Sequence, residues 1–368
     1  MFSLTKRKPV VRAMALADIS FDGIHLALVK SEVGAPYPEV IWSHFEAFPR
    51  GHLERGNEVR LQGAVRTSIK TMEMDGMRFL LQNFPELHPE VFKIIVSAPL
   101  SETVARGLKF SGTIPVDITT DIMDQAERSP QVSAALLPDS FERKLGLSAK
   151  AGPLLPIGQN LYQLISVLPA SIYNEIVSAH DRFLPGTELS IEPRIGNYLS
   201  VISDLPHSTD HICLIDLTGS ATELCVVADG EIRNISHTPH GTDDIITKLA
   251  QSLNLPESEA EHLFRDNDVD GMSSLTAPKS ALLDDVFNDY ETVLTKLLQG
   301  NDLDELPTTI FMHAENDDQR FLRDRLLTLD LWKERPTIHP ITPKLWSQEL
   351  TADTPLLVAA LLFHKKGR

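Results

Sequence analysis

Cysteine is scarce in this chain, and that scarcity narrows its chemistry. Only Cys213 and Cys225 occur in 368 residues, at a spacing that fits neither a zinc knuckle nor a redox pair. Both fall at apolar positions, where a buried thiol acts as a small hydrophobe. A disulfide scaffold is excluded, and a reducing, cytosolic setting is expected. Long apolar runs are missing too. The longest, PLLVAALLF at 355–363, is far short of the ~20 residues a membrane span needs. Positive charge is in deficit, with 34 Lys and Arg against 51 Asp and Glu and a net charge of -17. Such a surface disfavours nucleic acid and unaided adhesion to an anionic membrane. Lys6, Arg7 and Lys8 have no apolar run behind them, so no secretory signal is read there. No G-x-S-x-G elbow and no G-x-x-x-x-G-K loop occurs.

What is present suits a multidomain α/β protein. The length predicts two or three domains, and an apolar fraction of 42% supplies a core. ALADISFDGIHLALVKS, 15–31, alternates as two strands around a turn, and VIWSHFEAF, 40–48, reads as a third. Apolar residues from Val59 to Leu81 recur at helical spacing, although Gly63 and Gly76 interrupt the run. VFKIIVSAPL, 91–100, is a buried-strand pattern. Between 101 and 185 lie short strand-like runs and an acidic helix, IMDQAER. Helices follow at 171–184, around IGNYLSVIS, and at 241–253, 258–266 and 281–300. PLLVAALLFHKKGR closes the chain as a helix apolar nearly all round, which suits a core position.

The stretch with most chemistry is CLIDLTGSATELCVVADGEI, 213–232. Asp216 ends a strand, Thr218-Gly219-Ser220 fills a tight turn, and Thr222 opens a second strand. Aligned without gaps, ADISFDGIHLALV (17–29) echoes IDLTGSATELCVV (215–227), with Asp18 matching Asp216 and Ser20 matching Thr218. A unit repeated about 200 residues apart predicts two related halves facing each other. Tight turns of small residues present backbone N–H groups to phosphate. The hydroxyls of Thr218, Ser220 and Thr222 add donors, and Asp18 and Asp216 each suit a hydrated magnesium, which takes a few carboxylates and keeps its waters. A retained hairpin turn without nucleotide is the competing explanation of the same residues.

These two turns resemble the first and second phosphate loops of the actin-like ATPase superfamily. Three further stretches narrow the resemblance to its FtsA and PilM branch. HGTDDIITKLAQSLNLPESEAEHLF, 240–264, is similar to the segment in which paired glycines open a helix that is followed by Ala-Glu. LYQLISVLPASIYNEIVSAHDRFLPGTELSIEPRIGNYLSVI, 161–202, is similar to the end of the inserted subdomain and the return to the first lobe. TPLLVAALLF is similar to the closing helix of PilM. The resemblance implies a two-lobed actin-like α/β fold of two ribonuclease-H-like lobes. Lobe one is expected at 10–100 plus 186–210, with an inserted α+β subdomain at 101–185. Lobe two is expected at 211–368, with a helical insertion at 245–307. It also implies ATP and magnesium as cofactors, with Asp18, Ser20, Asp216, Thr218, Gly219, Ser220, Thr222, Gly241, Glu261 and Ala314 around the nucleotide and Asp18 and Asp216 at the metal.

Departures from the family pattern imply that nucleotide binding is weak or lost. The glycine expected two residues after Asp18 is Ser20, followed by bulky Phe21. One of the paired glycines is His240. The lysine expected near the adenosine is Phe264, and the late Thr-Gly-Gly reads His313-Ala314-Glu315. The implied function is a cytoplasmic scaffold of a type IV pilus or related secretion machine, recruited to the inner face of the cell membrane. Its implied partner is an inner-membrane PilN-like protein, whose short peptide sits between lobe one and the inserted subdomain. Homo-oligomers or filaments are a further implied possibility. The alternative is an FtsA-like division protein that binds ATP and polymerises at the membrane. Two other signals count for less. DNDVDG, 266–271, is half a calcium loop, but Ala277 stands where its bidentate glutamate belongs. His207, His211, His237 and His240 cluster without metal-ligand spacing on a helix.

Overall fold

The computed structural model describes residues 10–20, 22–48, 58–108, 147–157, 160–203, 205, 210–265, 277–300, 305–314, 319–348, 350 and 352–366. Phe21, the expected helix at 122–128, His207, the calcium-loop match at 266–271 and Glu315 lie outside these residues.

Two sheets share one plan. The first holds β1 (Val11–Ile19), β2 (Gly23–Glu32), β3 (Glu39–Ala47), β4 (Pro89–Val96) and β8 (Glu188–Pro193) in the order β3-β2-β1-β4-β8. The second holds β9 (Ile212–Leu217), β10 (Thr222–Ala228), β11 (Glu231–Thr238), β12 (Thr309–Ala314) and β13 (Thr337–Pro340) in the order β11-β10-β9-β12-β13. In each, three antiparallel strands lead into two parallel ones. Asp18 pairs with His25 in the first hairpin and Asp216 with Glu223 in the second. Both members of the pair shift by 198 residues, so the gapless echo in the sequence is a true register match. This is the two-lobed actin-like architecture.

Both faces of each sheet are covered, which is why their strands read as unbroken apolar runs. In the first sheet Ala13, Ala15, Ala17 and Ile19 face α1 (Glu58–Thr71) and α3 (Ala170–Phe183), while Met14 and Leu16 face the other way. A π turn, Met72–Met77, links α1 to α2 (Arg78–Asn83), so the helix interrupted by glycines in sequence runs on through both. Gly76 leaves room there for the Met72 and Trp42 side chains. A Cβ would come within 2.9 Å of the Met72 sulfur and 3.1 Å of the Trp42 ring. In the second sheet one face packs on α5 (Thr242–Leu253), α6 (Glu257–Arg265) and α7 (Ala277–Gln299). Its other face packs on α4 (Arg194–Ile202). A third sheet, β5 (Glu102–Leu108), β7 (Asn160–Pro169) and β6 (Leu147–Ile157), forms the inserted subdomain.

Two helices pack on lobe one beyond the residues expected for it. Residues 170–183 were assigned to the insertion, but α3 places Ile172, Ile176 and Ala179 in the core of lobe one. Its Glu175 also takes two hydrogen bonds from Arg66 of α1, each 2.7 Å. The closing helix, α9 (Thr354–Lys366), was assigned to lobe two. Its Leu356, Ala359, Ala360 and Phe363 pack on Met14, Leu16, Ala27, Val29 and Ile95 of the first sheet, while Val358 joins the core cluster that holds Leu214 and Phe311 of the second. His364 Nδ1 lies 2.8 Å from Ser31 Oγ, pinning the helix end to β2. An all-round apolar helix needs cover on every side, and α9 finds it between the first sheet and α4. Neither α9 nor any other helix among the described residues is long and apolar enough to cross a membrane.

Candidate functional site between the lobes

The two hairpin turns meet between the lobes. Each is tied off by the hydroxyl two residues after its aspartate. Ser20 N–H donates to Gly23 O at 3.0 Å and Thr218 N–H to Ala221 O at 2.9 Å. Ser20 Oγ and Thr218 Oγ1 each donate to the same carbonyls at 3.2 Å. They also accept from Asp22 N–H at 3.2 Å and Ala221 N–H at 3.1 Å. Both hydroxyls, of which that of Thr218 is read from sequence as a phosphate donor, are therefore engaged within their own turns. Thr222 Oγ1 likewise donates to His240 O at 2.7 Å and sits 2.8 Å from the Tyr290 hydroxyl. Ser220 Oγ is buried and carries no hydrogen bond among the described residues.

The carboxylates read as metal ligands converge on a cation of the chain itself. Arg194, at the first residue of α4, is 1% exposed. Its Nη2 donates to both oxygens of Asp18, at 3.0 and 2.8 Å, and Nε donates to Oδ1 at 3.3 Å. Nη1 lies 3.8 Å from Asp216 Oδ2. On its far side Asp216 Oδ1 is 2.7 Å from His313 Nδ1. An ionised carboxylate only accepts, so Nδ1 is the donor. Asp18 and Asp216 were expected to hold a hydrated magnesium; in this arrangement a guanidinium stands between them. Among the described residues no group of three or more His, Cys, Asp or Glu side chains is arranged to hold a metal.

Backbone donors are taken as well. Gly219 N–H donates to Asp22 Oδ2 at 3.1 Å, across the lobe boundary, and a Cβ on Gly219 would strike the Asp22 carboxylate. At the start of α5, the N–H groups of Thr242 and Asp243 donate to Thr218 O at 3.1 Å and Gly219 O at 2.8 Å. Gly241 lets that helix lie against the turn: a Cβ there would run into the carbonyl oxygens of both residues. Its own N–H is capped by Asp244 Oδ2 at 3.2 Å. Glu261 lies on α6, and Ala314 is buried at the end of β12 beside Leu217.

The surroundings are buried and acidic. Glu223, opposite Asp216 on the ladder, accepts from Thr103 Oγ1 of the insertion at 2.8 Å. Burial, reinforced by the Asp216 charge, pushes its carboxyl up to about 8, so it is protonated at neutral pH. Burial beside Asp216 also holds the Tyr198 phenol well above its ordinary range. The Tyr198 ring packs 5.1 Å from that of His313. Burial raises both thiols, Cys213 to about 12, as expected of core cysteines.

Sequence reading missed Arg194 and Asp22. One signal for Arg194 was available. A cation at the first position of an apolar helix opposes the helix dipole, and burying it demands a carboxylate partner. Nothing local marked Asp22, because its partner lies in the other half of the chain.

No family model matches the chain, and no curated protein matches it by sequence. Among solved structures, a chain of the PilM–PilN type IV pilus biogenesis complex is similar at 15% identity, covering 97% of this chain and 98% of that one, with a TM-score of 0.57. The ethanolamine utilization protein EutJ from Carboxydothermus hydrogenoformans aligns over 97% and 92% of the two chains at 12% identity and a TM-score of 0.49. The first likeness, with the strand order, fixes the fold as actin-like.

Proposed function

We infer that this chain is an actin-like scaffold of a type IV pilus or related secretion assembly machine, with a nucleotide cleft sealed by its own side chains. One observation carries the second half of the reading: the Arg194 guanidinium occupies the space between Asp18 and Asp216 where magnesium would stand. Asp22 complements it by presenting a carboxylate to the Gly219 N–H, where a phosphate oxygen would sit. Cation and anion of a metal–phosphate pair thus both have internal counterparts. Magnesium would have to displace the buried guanidinium, and a phosphate oxygen would have to displace the Asp22 carboxylate.

The likeness to a chain of a PilM–PilN complex supports the scaffold role. In this reading the protein works at the inner face of the cell membrane, held there by the short cytoplasmic peptide of an inner-membrane PilN-like protein. The peptide occupies the groove between lobe one and the inserted sheet. Isothermal titration with Mg-ATP tests the sealed cleft: silence at millimolar nucleotide is expected, and micromolar affinity overturns it. Titration with the cytoplasmic peptide of a PilN-like protein encoded beside this chain tests the scaffold. ATP-dependent filaments on membranes would favour the division-protein alternative.

A further inference from the structure

The rod formed by α1, the π turn and α2 carries an unusual outer stripe. Its buried side is ordinary: Leu61, Val65, Ile69, Met72 and Leu80 enter the core of lobe one. Six large apolar side chains are exposed among the described residues. Three of them lie on this rod: Val59 at 79%, Met74 at 44% and Leu81 at 55%. Exposed Arg66, Lys70 and Arg78 fall between them. From Arg66 to Arg78 the stripe advances by four residues at each step. In a plain α-helix that spacing drifts about 40° per step. The wider π turn at Met72–Met77 takes up part of this drift between Lys70, Met74 and Arg78, and Leu81 is exposed one turn beyond Arg78.

In a chain of net charge -17, some exposed cations pair with carboxylates, Lys248 and Lys333 among them, and others, such as Lys296, Arg335 and Lys344, form no ion pair among the described residues. On the stripe Arg66 is paired with Glu175. Neither Lys70 nor Arg78 has an acidic partner among the described residues. They flank Met74 four residues to either side. Glu73 and Asp75 stand on the two flanks of the rod, off the stripe, and both are exposed.

We propose that this stripe, Val59–Arg66–Lys70–Met74–Arg78–Leu81, docks an acidic amphipathic helix of a partner protein. Charge complementarity selects the occupant. Lys70 and Arg78 stand about 12 Å apart along the axis by α-helical rise, which matches two carboxylates seven residues apart on one face of a helix. An apolar side chain between those carboxylates meets Met74, a flexible side chain that adapts to varied apolar partners. An anionic bilayer fits less well. It would face Glu73, Asp75 and the strongly acidic remainder of the protein at once, whereas a helix needs only the stripe.

Fluorescence anisotropy on the full chain tests this with a synthetic amphipathic peptide carrying glutamates seven residues apart and leucine between them. A lysine-for-glutamate peptide is the control, and flotation with phosphatidylglycerol vesicles runs in parallel. The acidic peptide should bind at about 0.1 M salt and weaken as salt screens the contact. The pair Lys70→Glu with Arg78→Glu, and separately Met74→Asp, should each weaken it about tenfold while leaving the melting curve unchanged. Equal binding of both peptides, no binding of the acidic one, binding untouched by either variant, or attachment to vesicles in place of the peptide would each overturn the proposal.

Discussion

Removing the Arg194 guanidinium is the sharpest perturbation of the site. In wild type it makes three hydrogen bonds to Asp18, at 2.8 to 3.3 Å, and stands 3.8 Å from Asp216. All three side chains are at most 5% exposed. Arg194→Ala takes the guanidinium from Asp18 and from beside Asp216, which keeps its 2.7 Å contact with His313. Breaking one partner of a buried pair costs about 3–5 kcal/mol, and the middle of that range, about 4 kcal/mol, is expected. At roughly 2 °C per kcal/mol for a chain of this size, the melting temperature falls by about 8 °C. The companion Asp18→Asn with Arg194→Met and Asp216→Asn removes every formal charge at once and should recover most of the loss, because apolar or neutral replacement of a whole buried ion cluster is often nearly neutral. Millimolar magnesium should raise the melting temperature of Arg194→Ala but not of wild type, since a hard divalent cation suits the space between two carboxylates. Differential scanning fluorimetry with and without magnesium reads all three. An Arg194→Ala protein as stable as wild type would refute the argument that the guanidinium closes the lobes.

Further expectations follow from neighbouring groups. Glu223 gives up its proton near 4.5 in the unfolded chain and at about 8 when folded. The folded state therefore holds more protons in that window. The stabilisation is complete below pH 4.5 and declines by up to about 1.4 kcal/mol per unit as pH rises towards 8. Glu223→Gln keeps an acceptor for Thr103 and should remove this slope; urea midpoints at pH 6 and pH 8 check it, with the variant ahead at pH 8. His313→Phe leaves Asp216 Oδ1 without its donor and should cost about 1–3 kcal/mol, read from the same midpoints. Gly241→Ala drives a methyl into the carbonyls of Thr218 and Gly219 and should destabilise by about 2 kcal/mol or more. Arg66→Ala, by contrast, removes a pair whose arginine is 56% exposed, and should leave the urea midpoint nearly unchanged.

Much of the fold could be read from the residues alone, for reasons visible in particular elements. The strands of both sheets are apolar at nearly every position because helices cover both faces. The echo of 17–29 in 215–227 survived because the two hairpins keep one register and one turn, tied by Ser20 and Thr218. The closing helix reads as a core element from its all-round apolarity, yet that property is blind to which core it fills, and α9 enters the core of the first sheet through Leu356 and Phe363 and that of the second through Val358. The site divided in the same way. Asp18 and Asp216 were found by their place at strand ends, and they do face a common crevice. The hydroxyls and backbone N–H groups beside them were read as donors awaiting phosphate, because a local motif shows which groups exist but not which are already bonded.

The amino-acid order by itself determined the duplicated hairpins, the strand and helix types and the pairing of two aspartates, since each follows from spacing within about thirty residues or from repetition. Only the tertiary structure decided what those aspartates hold. Arg194 follows Asp18 by 176 positions, and Asp22 precedes Gly219 by 197. An ion pair forms by distance in space, and the folding of two lobes onto each other set those distances.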